Sequence, residues 1–561
     1  MIKRNKAWSL ALAASLAMAL AACGGEEQPA SDTDSTAGNG QLDSVQELRL
    51  TTGSGIPSMD SVLADDAVSF TMLNNAGEGL YRLDQQNTPI PAMASGEPEI
   101  SEDGLTYTFT LRDANWSDGS PVTAHDFVFA WQRAADPETG STYGPYMMAG
   151  TIKNADAIAQ GELDKSELGI SAQDDKTLAV SLERPIPYFL SLMAFGTFYP
   201  QKEAYVAEHG DQYAMDSGKL LSNGPFVLAN WEAAAMSWEL EKNPEYWDAE
   251  NVKLDKVEFN IVPDPGTGVN LYETGEADRA GLAGEFAMQY AEDEEVVRVL
   301  KPSVYYLQFN QEREGEPTPL ANPKLRKALA LSFNKQDLAD VVLANGSIPA
   351  DFLVPTEFTF DVNNEDFRKV NGDMMEFNAE QAKALWAEGL EEQGLTEVTL
   401  EYLSGDTELS KKIDAYMKDQ MEGNLEGLTL KMSQVPFNVL LDKNEAQDYD
   451  IQSTGWGPDF QDPITFLDMF ATESPQNTMS YSNEKLDALL EQADGELALK
   501  PEERWQALAE AEKIIVEEDA AIANMYQFGS MALQKPYVHD VIAHPFTGDF
   551  SYKWAYISGR E

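Results

Sequence analysis

Residues 455–463 read Gly-Trp-Gly-Pro-Asp-Phe-Gln-Asp-Pro and carry the side chains whose types and spacing best fit a chemical role. Glycines flank Trp456 and a proline precedes Asp459, so the segment predicts a tight loop of fixed conformation. The loop follows a short strand-like stretch, and α/β folds place ligand-binding groups at strand ends. The pattern favours binding over catalysis. The alternative is that Trp456 packs in the core and Asp459 caps a helix beginning at Pro463.

The rest of the chain offers little that fits catalysis. Four histidines are scattered through 561 residues, and no His-Glu-x-x-His motif of a zinc protease occurs. Phosphate-binding loops, a dinucleotide-binding turn and a Gly-x-Ser-x-Gly nucleophile elbow are also missing from the sequence. Ser332 with Lys335, and Ser482 with Lys485, match one element of penicillin-interacting enzymes, but the accompanying elements are absent. We therefore expect no catalytic residue, no metal and no cofactor.

Cys23, the single cysteine, ends a segment with the properties of a secretory signal. Three cations precede an apolar run that ends in Leu-Ala-Ala directly before the cysteine. The run is too short for a membrane-spanning helix. The pattern resembles a bacterial lipoprotein signal, which implies removal of residues 1–22, a lipid on Cys23 and anchoring on the outer face of the cytoplasmic membrane. An ordinary signal with a stray cysteine is the alternative.

The chain is strongly acidic. Its formal net charge is −56, and removal of residues 1–22 would take three cations and change the charge to −59. Nucleic-acid binding needs clustered Lys and Arg for phosphate contacts, so we expect no nucleic-acid partner. The charge also repels anionic lipid headgroups, which leaves the lipid on Cys23 as the membrane attachment. A lone cysteine leaves no disulfide within the chain, so the hydrophobic core must stabilise the exported protein.

Strand and helix patterns follow a polar stretch at residues 24–43 that is typical of a flexible tether. Helices are predicted after Asn322, after Asn378 with Gln381 as its capping-box partner, and from Pro501. Mixed strands and helices without internal repeats predict α/β lobes. Apolar residues alternate with polar ones, as in half-buried strands, at 105–111, 257–261, 305–309, 398–402 and 428–432.

Several motifs together resemble one family. From about residue 46 to the C-terminus the chain is similar to the oligopeptide-binding proteins of ABC importers, which are family 5 extracellular solute-binding proteins. The motifs are specific for the class and less specific for the ligand, because relatives bind dipeptides, nickel complexes, haem or sugars. They are Gly-Leu-Thr-Tyr-Thr-Phe-Thr-Leu-Arg at 104–112, Trp-Ser-Asp-Gly at 116–119, Trp-Gln-Arg at 131–133, Asn-Gly-Pro-Phe at 223–226, Lys-Asn-Pro-Glu-Tyr-Trp at 242–247 and the loop at 455–463.

The resemblance implies where a peptide would bind. In the family the aspartate that follows the Gly-Trp pair accepts the N-terminal ammonium of the ligand, and that position here is Asp459. Gly455, Trp456, Gly457 and Tyr526 are further implied ligand-binding residues, with core packing as the alternative for Trp456 and Tyr526. The peptide would lie as an extended strand held through its backbone, which makes binding tolerant of sequence. Relatives for very short peptides carry arginines before the Gly-Trp pair; their absence here favours longer peptides.

The implied fold is an α/β, two-lobed periplasmic-binding-protein fold with an extra subdomain and a ligand enclosed between the lobes. A hinge would close the lobes on the ligand. The expected division is a signal at 1–22, a tether at 23–45, lobe I at 46–67, 199–303 and 527–561, the extra subdomain at 68–198 and lobe II at 304–526.

The implied function is that of a monomeric, extracytoplasmic solute-binding component of an ABC peptide importer. It would capture oligopeptides and deliver them to the permease and ATPase subunits. The alternatives are a receptor for one signalling peptide, a carrier of another solute such as a nickel complex or haem, a surface peptidase or cell-wall enzyme, and an adhesive lipoprotein. An adhesive protein should lack a deep cleft between lobes.

Overall fold

The computed structural model describes residues 42–560. The predicted signal, Cys23 and most of the predicted tether lie outside the described residues. Near the N-terminal end of this range the Asp43 carboxylate accepts the backbone N–H groups of Gly559 at 3.0 Å and Arg560 at 2.8 Å. These bonds attach the start of the described chain to its C-terminal end. No helix within 42–560 is long and apolar enough to cross a membrane.

Strands form two larger sheets and several short hairpins. The strands of the two sheets, numbered in chain order, are β1 Glu47–Thr52, β2 Glu99–Ile100, β3 Thr106–Thr110, β4 Ile170–Ala172, β5 Thr177–Ser181, β6 Phe226–Ala229, β7 Ser237–Lys242, β8 Lys256–Ile261, β9 Arg279–Leu282, β10 Val296–Phe309, β11 Ile348–Pro349, β12 Val398–Gly405, β13 Leu428–Val435, β14 Ile451–Trp456 and β15 Ile522–Gln534. The hairpins pair Tyr81–Leu83 with Pro89–Pro91, Glu312–Arg313 with Glu316–Pro317, Val538–His539 with Tyr556–Ile557, and Ile542–Ala543 with Phe550–Ser551.

Helices lie between the strands along the whole described chain. The α-helices are α1 Ala67–Ala76, α2 Ala124–Ala135, α3 Tyr143–Met148, α4 Ala155–Ala159, α5 Phe189–Leu192, α6 Glu203–His209, α7 Pro265–Glu273, α8 Glu285–Gln289, α9 Pro323–Leu331, α10 Lys335–Asp337, α11 Phe367–Asn371, α12 Ala379–Gln393, α13 Glu408–Asn424, α14 Phe437–Glu445, α15 Ile464–Leu467, α16 Glu484–Asp494 and α17 Pro501–Lys513.

The local sequence signals place these elements well. All five stretches of alternating apolar residues are strands, within β3, β8, β10, β12 and β13. The helices predicted after Asn322, after Asn378 and from Pro501 are α9, α12 and α17. Asn378 accepts the Gln381 backbone N–H at 3.0 Å, but the reciprocal bond of the predicted capping box is replaced. The Asn378 N–H instead donates to the Leu331 carbonyl at 3.0 Å, because the chain enters α12 against the end of α9.

One sheet of eleven strands runs through the molecule. Its order is β13-β12-β14-β10-β15-β9-β1-β8-β7-β6, and β11 pairs with β15. Its longest strands are β10, with 14 residues, and β15, with 13 residues, and they lie side by side in the middle of the order. Strands β9, β1, β8, β7 and β6 continue the sheet on one side, and β14, β12 and β13 on the other. The two long strands therefore connect two halves of the molecule.

Two large hydrophobic cores define these halves as lobes. The first core contains residues from 48 to 259 together with residues from 538 to 557, and it includes the small sheet β2-β3-β5-β4. The second core contains residues from 306 to 526. Tyr188 and Phe460 pack against both cores. The protein is thus two-lobed, with β10 and β15 crossing between the lobes, while the predicted limits of each lobe and of the extra subdomain stay predictions.

The crossing strands lose their regular pairing where they pass between the lobes. Register partners change from Leu300 with Gly529 to Val304 with Gln527, and residues 301–303 leave the β10–β15 ladder. Pro302 stands in this gap and has no N–H to donate to a neighbouring strand. The irregularity frees the side chains next to it from the strict alternation of a strand, and two of them, Lys301 and Ser303, line a cavity.

Candidate ligand-binding site

The loop that follows β14 lies directly against the crossing strand β10. Residues Val304 to Phe309 pair antiparallel with β14, and Tyr305 is the partner of Gly455. A Cβ on Gly455 would lie 2.7 Å from Tyr305 Cδ1, and a Cβ on Gly457 would lie 3.0 Å from Ser303 Oγ. Both glycines are therefore needed for this close approach. It places the loop beside side chains that line the cavity.

This cavity, called the crossing-strand cavity below, has a volume of about 580 Å³. Its walls come from β1, β8 and β9 of the first lobe, from α1, from β10 and β15, and from the C-terminal segment 549–552. Ser303 and Tyr305 form its wall next to the loop. Threonines, serines and aromatic rings make up much of the lining, which suits a mixed polar and apolar ligand.

Asp459 lies in the loop as a half-buried carboxylate without a cationic partner. Its Oδ2 accepts the hydroxyl proton of Tyr146 at 2.6 Å, and Tyr146 belongs to α3 of the other lobe. Within residues 42–560 no Lys, Arg or His forms a salt bridge with Asp459. Desolvation raises the pKa of Asp459, and the Tyr146 hydrogen bond opposes that rise. A cation that reached this carboxylate would therefore be bound favourably.

Asp459 does not cap the following helix, so the alternative interpretation of this residue is wrong. The helix α15 begins at Ile464, and its backbone N–H donates to Asp462 Oδ1 at 3.0 Å. Asp462 is also paired with Arg504 at 2.7 Å, in a buried salt bridge. The neighbouring aspartate thus takes the structural role, because it lies closer to the first turn of the helix. The Asp459 carboxylate accepts a hydrogen bond from the Tyr146 hydroxyl and from no other side chain among the described residues.

Other acids surround the same region. Partial desolvation, together with the charges of Asp494, Asp462 and Asp459, raises the pKa of Asp468 to about 7. The Asp468 residue is nevertheless exposed to solvent. Asp494 is paired with Arg184 at 3.0 Å. Asp459, Asp468 and Asp494, called the acidic end below, form a negative region beside the loop that attracts a cationic group.

The two lobes also touch through the loop. The rings of Tyr188 and Phe460 stack with centroids 4.0 Å apart and an angle of 9°. The Gln461 backbone N–H donates to Ser191 Oγ at 3.2 Å. With the Tyr146 hydroxyl, these contacts connect the first lobe to three consecutive loop residues. The loop is therefore positioned by both lobes at once.

The other predicted site residues differ in their positions. Trp456 is half-buried against the second core, and its indole Nε1–H finds no hydrogen-bond partner among residues 42–560. Tyr526 is only 3% exposed and stacks on Tyr305 with centroids 4.8 Å apart. It is Tyr305 whose ring lines the crossing-strand cavity. The sequence pattern predicts Tyr305 in a strand and assigns it no role in ligand binding. The ligand-binding roles of Trp456 and Tyr526 stay predictions.

Two observations concern the histidines and acidic residues of the part of the chain that the structure describes. Residues 42–560 contain no group of three or more His, Cys, Asp or Glu side chains arranged to hold a metal ion. His544 is buried, and burial lowers its pKa to about 3. It bonds Asn87 at 2.7 Å through Nδ1. This histidine is accordingly a structural residue.

Two lobes joined by long crossing strands, with a cavity and a charged loop beside those strands, define a solute-binding protein. A profile of the bacterial extracellular solute-binding proteins, family 5 (middle region), matches residues 88–478. The chain belongs to this family. The dipeptide-binding protein DppE of Bacillus subtilis (strain 168) is 32% identical over 559 residues, which cover 98% of this chain and 99% of DppE.

Solved structures show the same fold. Listeria monocytogenes OppA bound to peptide is 44% identical, with a TM-score of 0.73, covering 92% of this chain and 100% of that one. The periplasmic murein tripeptide binding protein MppA, in its unliganded open form, is 27% identical, with a TM-score of 0.79, covering 93% and 99%.

Proposed function

We propose that this protein is the peptide-binding component of an ABC importer and that it binds the N-terminal ammonium of an oligopeptide at Asp459. The observation that carries the proposal is the environment of that carboxylate. It is half-buried, it has no cationic partner within residues 42–560, and both lobes contact its loop. A relative of the same fold is described as bound to peptide.

The electrostatics favour an ammonium group at this place. A carboxylate that loses water without gaining a counter-ion is destabilised, and a ligand cation removes that penalty. The acidic end adds the carboxylate of Asp468, which has no salt bridge within residues 42–560, whereas Asp494 is paired with Arg184. Every peptide with a free N-terminus carries the required cation. Recognition at Asp459 would thus fix the position of the peptide without reading its side chains.

The remainder of the peptide would extend from Asp459 along β10 toward the crossing-strand cavity. At Gly457 and Gly455 the loop passes close to Ser303 and Tyr305, and both of these residues line that cavity. Main-chain groups of an extended ligand can bond to such strand-end loops, and adaptable pockets hold its side chains. This mode gives sequence tolerance, as expected for nutrient import.

Closure would occur about the crossing strands β10 and β15. The irregular residues 301–303 between the two lobes provide a place for the backbone to change direction. A ligand that contacts both lobes only when they are shut shifts the population toward the closed form. The permease and ATPase subunits of the importer would then receive the ligand from the closed protein. No covalent chemistry is required.

Attachment to the membrane would come from a lipid on Cys23. The protein would then act as a monomer on the outer face of the cytoplasmic membrane. This finer localisation rests on the signal sequence. Mass spectrometry of the intact protein from membranes tests it, since a diacylglyceryl cysteine at the N-terminus adds a defined mass. An unmodified Cys23 would contradict the anchor.

Native mass spectrometry of the full chain purified from cells tests the function. We expect a heterogeneous set of copurified peptides, released on unfolding and absent from a sample refolded without them. Calorimetry of the refolded protein with a synthetic peptide should then show binding. One dominant peptide would favour a signalling receptor, and a bound metal complex or haem would contradict peptide import. Shortened peptides after incubation would indicate a peptidase.

A further inference from the structure

The crossing-strand cavity contains a cation with no carboxylate partner. Side chains along β9 alternate between two faces, as in any strand. Asp278, just before β9, is buried and bonded to Arg49 at 2.6 Å and to Arg560 at 3.3 Å. Arg279 and Gly281 face the other way and line the cavity. The cation is thus directed into the space that a ligand could occupy.

Arg279 makes no salt bridge and no side-chain hydrogen bond within residues 42–560. Its guanidinium carbon lies 4.5 Å from the centroid of the Phe550 ring, which is the distance of a cation–π contact. Desolvation lowers the pKa of Arg279, and the nearest opposing influences are Tyr552 and Asp549. The guanidinium remains charged, since its pKa lies far above neutrality. It is therefore a desolvated charge that an anion would stabilise.

The second cation of the cavity is already neutralised. Lys301 Nζ lies 2.7 Å from Asp549 Oδ1 and 5.0 Å from the centroid of the same Phe550 ring. Two cations and one carboxylate leave a local charge of one positive unit. The local charge of the cavity is thus positive, whereas the formal net charge of the whole protein is −56. Screening within about 8 Å means that the local groups decide what binds there.

Space for a carboxylate exists beside Arg279. Gly281 is its neighbour on the same face of β9, and a Cβ on this glycine would have no atom within 4 Å. A planar guanidinium can donate two parallel N–H groups to a carboxylate, which is stronger than a contact with a ring face. The Phe550 ring is in contact with the guanidinium but cannot occupy its N–H groups as a carboxylate would. The arrangement suits a carboxylate better than a neutral group.

We propose that Arg279 is a specificity-determining residue that binds a carboxylate of the captured peptide, so that the site prefers ligands with an acidic group toward this cavity. The proposal rests on the proposed peptide-binding function and concerns a different part of the ligand from the ammonium. The carboxylate comes either from an Asp or Glu side chain or from the C-terminus. Both sources present the same chemistry to the guanidinium.

Calorimetry with alanine-rich peptides of one length, compared in two kinds of pair, tests this on the full chain. One pair carries Glu or Gln at a single internal position, scanned along the peptide, with an amidated C-terminus. The second pair carries Gln and has either a free or an amidated C-terminus. We expect one position of Glu, or the free C-terminus, to bind about tenfold to a hundredfold more tightly in the wild type. Equal affinities in every pair would overturn the proposal.

Three variants assign the preference to Arg279. Arg279→Gln should abolish the difference within the responsive pair and leave the affinity for the neutral peptide within about twofold, while Arg279→Lys should retain part of it. Arg298→Gln is the matched control, because it removes one exposed cation of β10 that lies outside this cavity. A preference that survives Arg279→Gln contradicts the proposal, as does one lost equally in Arg298→Gln.

Binding of neutral peptides without any acidic preference refutes only this inference. Absence of all peptide binding refutes the proposed function as well.

Discussion

The acidic end and the crossing-strand cavity each contain a charge without an ionic partner among residues 42–560, and the two charges have opposite sign. At the acidic end Asp459 is bonded to a tyrosine hydroxyl, and in the cavity Arg279 lies over a phenylalanine ring. Neither aromatic group neutralises the charge that it contacts. A ligand with an ammonium at one place and a carboxylate at the other would complement both.

Buried charges elsewhere in the molecule have partners inside the protein. Arg368 is paired with Glu512 at 2.7 Å, and Arg82 with Glu78 at 2.8 Å, with all four side chains almost fully buried. Arg326 is also buried and has no carboxylate partner within residues 42–560, but it donates to backbone carbonyls. Arg279 differs from these arginines, because its guanidinium has neither a carboxylate nor a hydrogen-bond acceptor among the described residues.

The largest effect is expected from removing the charge at the acidic end. Asp459→Ala should weaken peptide binding by about 2–5 kcal/mol, because the ligand ammonium would lose its buried carboxylate. Calorimetry of wild type and variant on one peptide measures the loss. Asp442→Ala, which removes an exposed carboxylate from α14 of the same lobe, is the matched control. Equal affinities of the wild type and Asp459→Ala would refute the assignment.

A second comparison concerns the glycines of the two regions. Gly455→Ala should lower the free energy of unfolding by about 1–3 kcal/mol, since its Cβ would lie 2.7 Å from Tyr305 Cδ1, whose ring is stacked on Tyr526. Gly281→Ala, where nothing lies within 4 Å, should change it by about 0.5 kcal/mol or less. Urea unfolding of both variants measures these values. Similar losses in the two would show that the loop is not tightly packed on β10.

A smaller effect is expected from the hydroxyl that contacts Asp459. Tyr146→Phe should weaken peptide binding by about 0.5–1.5 kcal/mol, because the carboxylate loses the hydrogen bond that orients it. Tyr146 is half exposed, which limits the effect. Tyr205→Phe removes a hydroxyl from α6, where it donates to the Gly218 carbonyl, and serves as the control. Tighter binding by Tyr146→Phe would mean that the tyrosine competes with the ligand.

The smallest effect is expected from pH. The pKa of Asp468 is raised to about 7 from an ordinary value of 3.8, so the folded protein holds this proton more strongly than the unfolded chain. The contribution of Asp468 to stability is thus fully present below pH 3.8 and is lost as the pH rises through about 7. Ionised Asp468 should in turn strengthen ammonium binding by a few-fold between pH 6 and pH 7.5.

Thermal unfolding and calorimetry across this pH range check both signs. Asp468→Asn should raise the melting temperature relative to wild type most at pH 8, less at pH 5, and change it little below pH 3.8. The same variant should flatten the pH dependence of peptide affinity. Asp487→Asn is not a suitable control, because its carboxylate bonds Thr472. Asp442→Asn is suitable, and an unchanged pH profile in Asp468→Asn would contradict the prediction.

Local features of the sequence determined most of the secondary structure and the family. Alternating apolar residues, Asn caps and Pro at first turns act within a few residues, so strands such as β10 and helices such as α9 could be predicted directly. The family motifs, including the loop at 455–463, could also be identified from the sequence, because a resemblance compares residue types and needs no geometry. The same resemblance identifies Asp459 from residue types alone.

Only the tertiary structure decided which side chains meet at the site. Tyr146 reaches Asp459 across 313 positions of the chain, and Arg279 enters the cavity because of the direction that β9 gives it. The register of β10 also placed Tyr305, rather than Tyr526, on the cavity wall. Such facts depend on strand register and on packing between distant segments, where a shift of one residue would turn each side chain to the opposite face. The sequence specifies the residue types, and the fold determines which side chains are in contact.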